Sequence, residues 1–270
     1  MESVKLFVVT LQAILEDDET LLAGLADFDP AGIEERDTEV AVHFLDRATA
    51  EACAARFGGS ISEIEPRNWA AGWQAQWTPI AVGSRFYLAP AWCEDPTPAG
   101  RMRLEMRPGL VYGGGDHPTT QLCLELLEQA NVSQAAAADV GCGTGILAQA
   151  AILLGVARVV CCDIDPDAAA EAHRAGLPAF EGSAGAIRTG SIDLVLANLP
   201  TGNLLTLLPE FTRILAPGGR AVLSGFLCEQ RGMVYRETAA AGWTLAAERL
   251  TDEWAAALFK WCGRGRLSIA

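Results

Sequence analysis

Three polar side chains, Asp139, Asp163 and Asn198, each stand at or just past the end of an apolar run. Asp139 opens the stretch Asp139-Val-Gly-Cys-Gly-Thr-Gly145, with glycines at 141, 143 and 145. Such glycines allow a tight turn and let a ligand lie directly on the backbone. The spacing is G-x-G-x-G, and Ile146 stands where the last glycine of a dinucleotide-binding G-x-G-x-x-G would fall. A carboxylate at Asp139 would repel a pyrophosphate but not a cation. S-adenosylmethionine carries a sulfonium and an ammonium, so it suits this turn better than NAD does. The competing reading is a glycine-rich turn in some other α/β protein.

The second acid follows at one strand-helix-strand interval. Val156 to Cys162 reads as a buried strand and ends in Asp163-Ile-Asp165-Pro-Asp167. A carboxylate at a second strand end is where a ribose is held by its two hydroxyls. Ile164, next along, would pack on an adenine face. One of Asp165 and Asp167 is expected only to cap the helix predicted over Ala168 to Ala175. Asn198 ends the apolar run Ser191 to Ala197 and is followed by Leu199-Pro200. Its amide would accept a hydrogen bond from an incoming amine and aim the lone pair; the plainer reading is a turn made by Asn198 and Pro200.

The elements that must position these groups can be read along the chain. Val4 to Leu11 reads as a strand, Glu19 to Phe28 as a helix, and Ala31 to Arg36 with Thr38 to Leu45 as a hairpin. Ala48 to Phe57 reads as a helix and Ser60 to Glu65 as a strand. That order, β-α-β-β-α-β, predicts a small ferredoxin-like domain over residues 1–66. Trp69, Trp73 and Trp77 recur on one helical face, expected to pack between domains. With strand-like Ile80 to Pro90 and Met102 to Met106, they fill a linker over 67–105. Strands and helices then alternate to about Gly225, and Trp243 to Arg249 and Ala255 to Trp261 add two strands.

The stretch Met106-Arg-Pro-Gly-Leu-Val-Tyr-Gly-Gly-Gly-Asp-His-Pro-Thr-Thr-Gln-Leu-Cys-Leu-Glu-Leu-Leu-Glu128 resembles the PGMAFGTGxHPTTxLCLxxLE signature of the PrmA family. The similarity continues through Asp139 to Leu154, Asp163 to Asp167, Val195 to Leu199, Leu215 to Gln230 and Glu253-Trp254. It implies a Rossmann-like class I methyltransferase domain over 106–270, with seven strands of which the last is antiparallel. It also implies methylation of a large-subunit ribosomal protein, L11. Tyr112, Thr119 and Thr120 match the positions that contact the methyl donor in that family. His117, in the same signature, is expected to be a loop or helix-start residue rather than a base. Two departures stand out. Gly113-Gly114-Gly115 replaces the family's G-T-G, and Asn198-Leu-Pro-Thr201 replaces its N-I-L-A or N-L-Y-A. The first bears on the donor site and the second on the acceptor.

Composition sets the remaining bounds. The 270 residues are half hydrophobic, enough for one large α/β domain and a smaller one. No apolar run approaches the ~20 residues that span a bilayer. Met1 to Leu15 runs into Glu16-Asp-Asp-Glu19, a poor signal peptide, so a cytoplasmic protein is expected. Eight cysteines without C-x-x-C spacing are expected to be reduced thiols, and no zinc site is expected. The net charge is −14, and residues 1–66 concentrate it: fifteen acidic side chains against four basic ones. Such a surface repels phosphate backbones and attracts a basic protein, so a ribosomal protein, and neither nucleic acid nor membrane, is the expected partner. Solubility alone is the simpler account of the charge. Three classes stay open: a ribosomal-protein methyltransferase, a methyltransferase on another amine, and a non-catalytic adenosyl-ligand-binding protein.

Overall fold

The computed structural model describes residues 6–12, 21, 24–25, 28, 30, 32–36, 39–64, 78–106 and 115–263. The chain divides into two compact units, residues 1–77 and 78–270. The expected Trp69, Trp73 and Trp77 stripe lies outside the described residues, as do Tyr112, Gly113 and Gly114.

In the smaller unit, β1 (Leu6–Leu11), β2 (Gly32–Arg36), β3 (Glu39–Phe44) and β4 (Ser60–Ile64) form one antiparallel sheet in the order β2-β3-β1-β4. That is the ferredoxin-like order, with β1 and β3 in the middle and β2 and β4 at the edges. Alternation does the sorting: Phe7, Val9 and Leu11 of β1 and Val40, Val42 and Phe44 of β3 share one buried cluster. Helix α1 (Arg47–Phe57) closes that cluster with Ala50, Cys53 and Ala54. It starts where Asp46 Oδ2 accepts the Thr49 N–H at 2.8 Å and stops at Gly58 in the left-handed region. Of the first helix expected over Glu19 to Phe28, the described residues Leu21, Gly24 and Leu25 are helical.

The larger unit opens with a three-stranded sheet: β5 (Ile80–Val82), β6 (Phe86–Pro90) and β7 (Met102–Met106). It is tied to the end of helix α2 (Pro118–Leu127) by Glu128, whose carboxylate accepts the Ser84 and Arg85 N–H groups and the Ser84 hydroxyl. The main sheet comprises β8 (Ala136–Val140), β9 (Arg158–Asp163), β10 (Ala179–Glu181), β11 (Ile192–Asn198), β12 (Leu215–Leu227), β13 (Trp243–Leu250) and β14 (Trp254–Trp261). Their order is β10-β9-β8-β11-β12-β14-β13. All neighbours are parallel except β14, which runs antiparallel to both β12 and β13. The last strand in sequence is therefore inserted inside the sheet.

Helices α3 (Ile146–Leu153), α4 (Pro166–Arg174), α5 (Thr201–Ile214) and α6 (Arg231–Ala240) connect the strands. Every residue of β8 is buried, which is why it reads Ala-Ala-Ala-Asp-Val without polar alternation. A large cluster of buried Phe211, Phe226, Trp243, Phe259, Ile214 and Leu215 fills the half around β12 and β14. Truncating one such phenylalanine to alanine costs about 3–5 kcal/mol. The order reverses between β8 and β11: the chain leaves β8 towards β9 and β10, then returns to the other side. In open α/β sheets, ligands bind at that reversal, beyond the carboxyl ends of the strands.

Candidate active site

A cavity of about 500 Å³ lies there. Its lining includes Thr119, Thr120, Asp139, Gly141, Gly143, Asp163, Ile164 and Asn198. The volume is in the range that holds a cofactor-sized molecule. Two residues expected from sequence stand apart. Tyr112 is outside the described residues, and Gly145 is not in the lining. Gly145 caps α3 from below, and a side-chain carbon on it would overlap Leu177 Cδ1. Its lack of a side chain leaves room for Leu177, in the segment between α4 and β10.

The turn after β8 is anchored to β9. Gly141 and Cys142 both donate N–H to Cys162 O, at 2.8 and 3.2 Å. Gly143 N–H donates to Asp163 Oδ2 at 3.0 Å, and Asp165 N–H donates to Asp163 Oδ1 at 3.1 Å. Each carboxylate oxygen keeps a further lone pair for a ligand hydroxyl. Asp165 is the cap of α4, its Oδ1 accepting Asp167 N–H at 2.9 Å, so of the two candidates it is Asp165 that caps. Ile164 is 77% exposed on the cavity rim, an apolar surface that a flat ring would cover.

Asp139 differs from its plain reading as a charge. It is buried, and Oδ2 accepts Ala148 N–H at 3.0 Å, holding the first turn of α3. Burial pushes its pKa up to about 8, against the Ala148 hydrogen bond, and the Asp163 charge adds to the rise. Burial thus favours the protonated carboxyl in the free protein. A cation beside it would favour the ionised form.

The opposite wall is built around β11 and α2. Asn198 Nδ2 donates to Thr119 Oγ1 at 3.0 Å and to Thr120 Oγ1 at 3.3 Å, and both threonines are buried. His117 is the N-cap of α2, followed by Pro118 at the first helical position, as expected for a helix start. Leu199 is fixed between two glycines. A side-chain carbon on Gly141 (φ +70°) would overlap Leu199 Cδ2, and one on Gly225 (φ +91°) would overlap Leu199 O. Gly225 lies at an irregularity of β12 between Ser224 and Phe226. Pro200 caps α5, and the Thr201 hydroxyl donates to Gln230 Oε1 at 2.6 Å.

Sequence reasoning missed Cys142, Ile146, Leu147, Ala168, Asn203, Gly225 and Trp254 as cavity residues. Glu253-Trp254 and Gly225 both fall in segments of family resemblance, which was the available signal. Nothing local showed that β14 would carry Trp254 back across the sheet to the cavity.

The residues present fit a cationic adenosyl ligand. A left-handed glycine turn offers bare backbone, an acid at the second strand end keeps free lone pairs, an exposed isoleucine follows it, and a buried carboxyl can take up charge. Sheet order and site together define a class I S-adenosylmethionine-dependent methyltransferase.

A family model described as "Ribosomal protein L11 methyltransferase (PrmA)" matches residues 30–261. The chain belongs to that family. It is 35% identical over 222 residues to the "Ribosomal protein L11 methyltransferase" of Geobacter metallireducens, covering 80% of this chain and 73% of that protein. It is 42% identical over 176 residues to the protein of the same name from Dechloromonas aromatica, 63% of this chain and 59% of that one. Among solved structures, the ribosomal protein L11 methylase of Lactobacillus delbrueckii subsp. bulgaricus superposes with a TM-score of 0.62 at 27% identity. That match covers 68% of this chain and 98% of that chain.

Proposed function

We propose that the chain transfers methyl groups from S-adenosylmethionine to amino groups of the ribosomal protein L11, in the cytoplasm where ribosomal proteins are made. The observation that carries this reading is the Asn198 amide, its nitrogen bonded to two threonine hydroxyls inside the cavity that also holds the glycine turn and Asp163. With Nδ2 so occupied, Oδ1 is left to accept from an amine.

The donor supplies a methyl made electrophilic by its sulfonium. Asp163 would hold the ribose by its two hydroxyls, Ile164 would cover the adenine, and the Gly141–Gly143 turn would take the methionine portion, with Asp139 available to its positive charge. Tyr112, Thr119 and Thr120 complete the donor contacts on the strength of the family resemblance. Asn198 Oδ1 accepts one N–H of the acceptor amine and so directs its lone pair at the methyl. A lysine amine starts with a pKa of about 10.4; a dry site beside a cation lowers it, and water takes the proton. Alignment of this kind contributes on the order of 7–11 kcal/mol. The acidic unit at residues 1–66 docks the basic substrate protein.

A different amine acceptor is favoured by one observation: Pro200, which stands where the family has leucine or tyrosine, lines the cavity beside Asn198. Intact-mass spectrometry separates the readings. Incubation with donor should add 14 Da steps (about one methyl each) to unmethylated L11, and Asn198→Ala should abolish them while donor affinity is kept. Loss of donor binding in that variant would make Asn198 a structural turn residue.

A further inference from the structure

One group beside Asn198 has only one way to bond. The Thr119 backbone N–H is a donor and nothing else, and it is directed at His117 Nδ1 at 3.3 Å. Nδ1 therefore carries a lone pair, and a neutral ring has its proton on Nε2. The Thr119 hydroxyl lies 2.7 Å from the same nitrogen. Nδ1 has no hydrogen to give, so the hydroxyl gives its own. A hydroxyl has one hydrogen and two lone pairs. With that hydrogen committed to His117, Thr119 Oγ1 can only accept from the Asn198 side chain, its other partner among the described residues, at 3.0 Å. The atom placed there must be the amide nitrogen. An Asn198 turned the other way would set two acceptors face to face. The rotation of the amide, which its shape alone does not reveal, is thus dictated by a backbone N–H through two intervening side chains.

We propose that His117 is a positioning residue for methyl transfer: through the Thr119 hydroxyl it holds the Asn198 amide with its oxygen presented to the acceptor amine. His117 is absent from the cavity lining, whereas Thr119, Asn198 and Trp254 belong to it. Trp254 meets the imidazole edge-on, with ring centroids 5.1 Å apart and planes at 71°, which fixes the ring's tilt. The sequence context explains the device. Pro118 and Thr119 start α2, so the cap residue is aimed at the first free N–H groups of that helix. A serine or aspartate would cap as well, but imidazole also spans the gap to the Thr119 hydroxyl and to Trp254. The same contact therefore starts a helix and orients a catalytic amide.

The inference rests on the reading of Asn198 as the amine acceptor, and its test has an arm that needs no substrate. In nitrogen-15 spectra of the full-length protein, the Asn198 side-chain amide, assigned by its loss in Asn198→Ala, should exchange slowly with water. His117→Gly keeps a residue tolerated at a helix cap but offers no acceptor to the Thr119 hydroxyl. Exchange of the Asn198 amide should then speed up at least tenfold. Turnover should fall about tenfold, the weight of one hydrogen bond, with donor affinity unchanged. His117→Asn returns an acceptor and should recover both. If the glycine variant does not fold, His117→Ser takes its place, since its hydroxyl caps but does not fix the polarity. Thr119→Val should show the same loss, and adding His117→Gly to it should cost nothing more. Unchanged Asn198 exchange in the glycine or serine variant overturns the proposal, as do losses that multiply in the double variant. If the wild-type protein fails to methylate L11, the functional reading falls, and the amide exchange still decides the role of His117.

Discussion

Gly143 N–H donates to Asp163 Oδ2 at 3.0 Å, so the acid at the end of β9 holds the glycine turn that follows β8. One carboxylate thus shapes the backbone of the glycine turn and keeps lone pairs facing the cavity proposed for the donor. Replacing Asp163 with alanine should weaken donor binding by about 1 kcal/mol or more, the weight of one or two hydrogen bonds to a charged group. Titration calorimetry on the folded variant is the measurement, and an unchanged affinity would remove Asp163 from the donor site.

Gly225→Ala is predicted to act through the Leu199 segment at the cavity wall. Its φ of +91° is unfavourable for alanine, and the added carbon would meet the Leu199 backbone. The displaced segment carries Asn198. Turnover should fall at least tenfold and by more than donor affinity does, and stability should drop by about 1–3 kcal/mol. Steady-state rates, calorimetry and denaturant melts read the three quantities separately.

Asp139 gives a prediction with a definite sign. Its folded pKa, about 8, lies above its unfolded value of about 3.9. The folded state therefore holds a proton that the unfolded state releases in between. The stability that this group contributes is fully present below about pH 4 and is lost as pH rises through about 8. The slope from one such group is at most about 1.4 kcal/mol per pH unit. Asp139→Asn cannot ionise and still offers an oxygen to Ala148 N–H. The difference in unfolding free energy between variant and wild type should therefore grow in favour of the variant from pH 5 to pH 8. Parallel stability curves for the two proteins would show that Asp139 is not the group concerned.

Much of this was legible in the chain because it is local. The turn at Gly141 to Gly145, the acid one β-α-β interval later and the amide at the end of β11 each sit where a strand ends, and a parallel sheet brings strand ends together. The ferredoxin-like order followed from alternation in Val4 to Leu11 and Thr38 to Leu45. What sequence did not disclose is non-local. Asp139 looks like a charge until burial is counted, and Gly225 looks like an ordinary strand glycine until Leu199 is seen beside it. Trp254 lies more than a hundred residues from Asp139 in the chain and meets the cavity only through the insertion of β14. His117 was legible as a loop or helix-start residue, but the Asn198 amide that meets the neighbouring Thr119 hydroxyl is 79 residues further on.

The acidic character of residues 1–66 predicts a salt effect confined to the protein substrate. Raising ionic strength should increase the apparent KM for L11 several-fold, because attraction between exposed charges is screened over about 8 Å at physiological ionic strength. Donor affinity, measured in the same buffers, should change little. A KM for L11 that is indifferent to salt would mean that the acidic surface keeps the protein soluble and does no docking.

The position of β14 also constrains the order in which the molecule can come into being. During translation β13 emerges first, yet its neighbour in the sheet is β14, which pairs with β12 on its other side. Until the segment ending at Trp261 has left the ribosome, β13 has no strand to join and β12 presents an open edge. The same late segment brings Trp254, the ring that meets His117 edge-on. Chains are made from the amino end, and domains fold as units. The smaller unit can therefore fold early, whereas methyl transfer must wait for the last strand of the sheet. A nascent chain arrested before Trp254 would display its acidic domain without a finished catalytic centre.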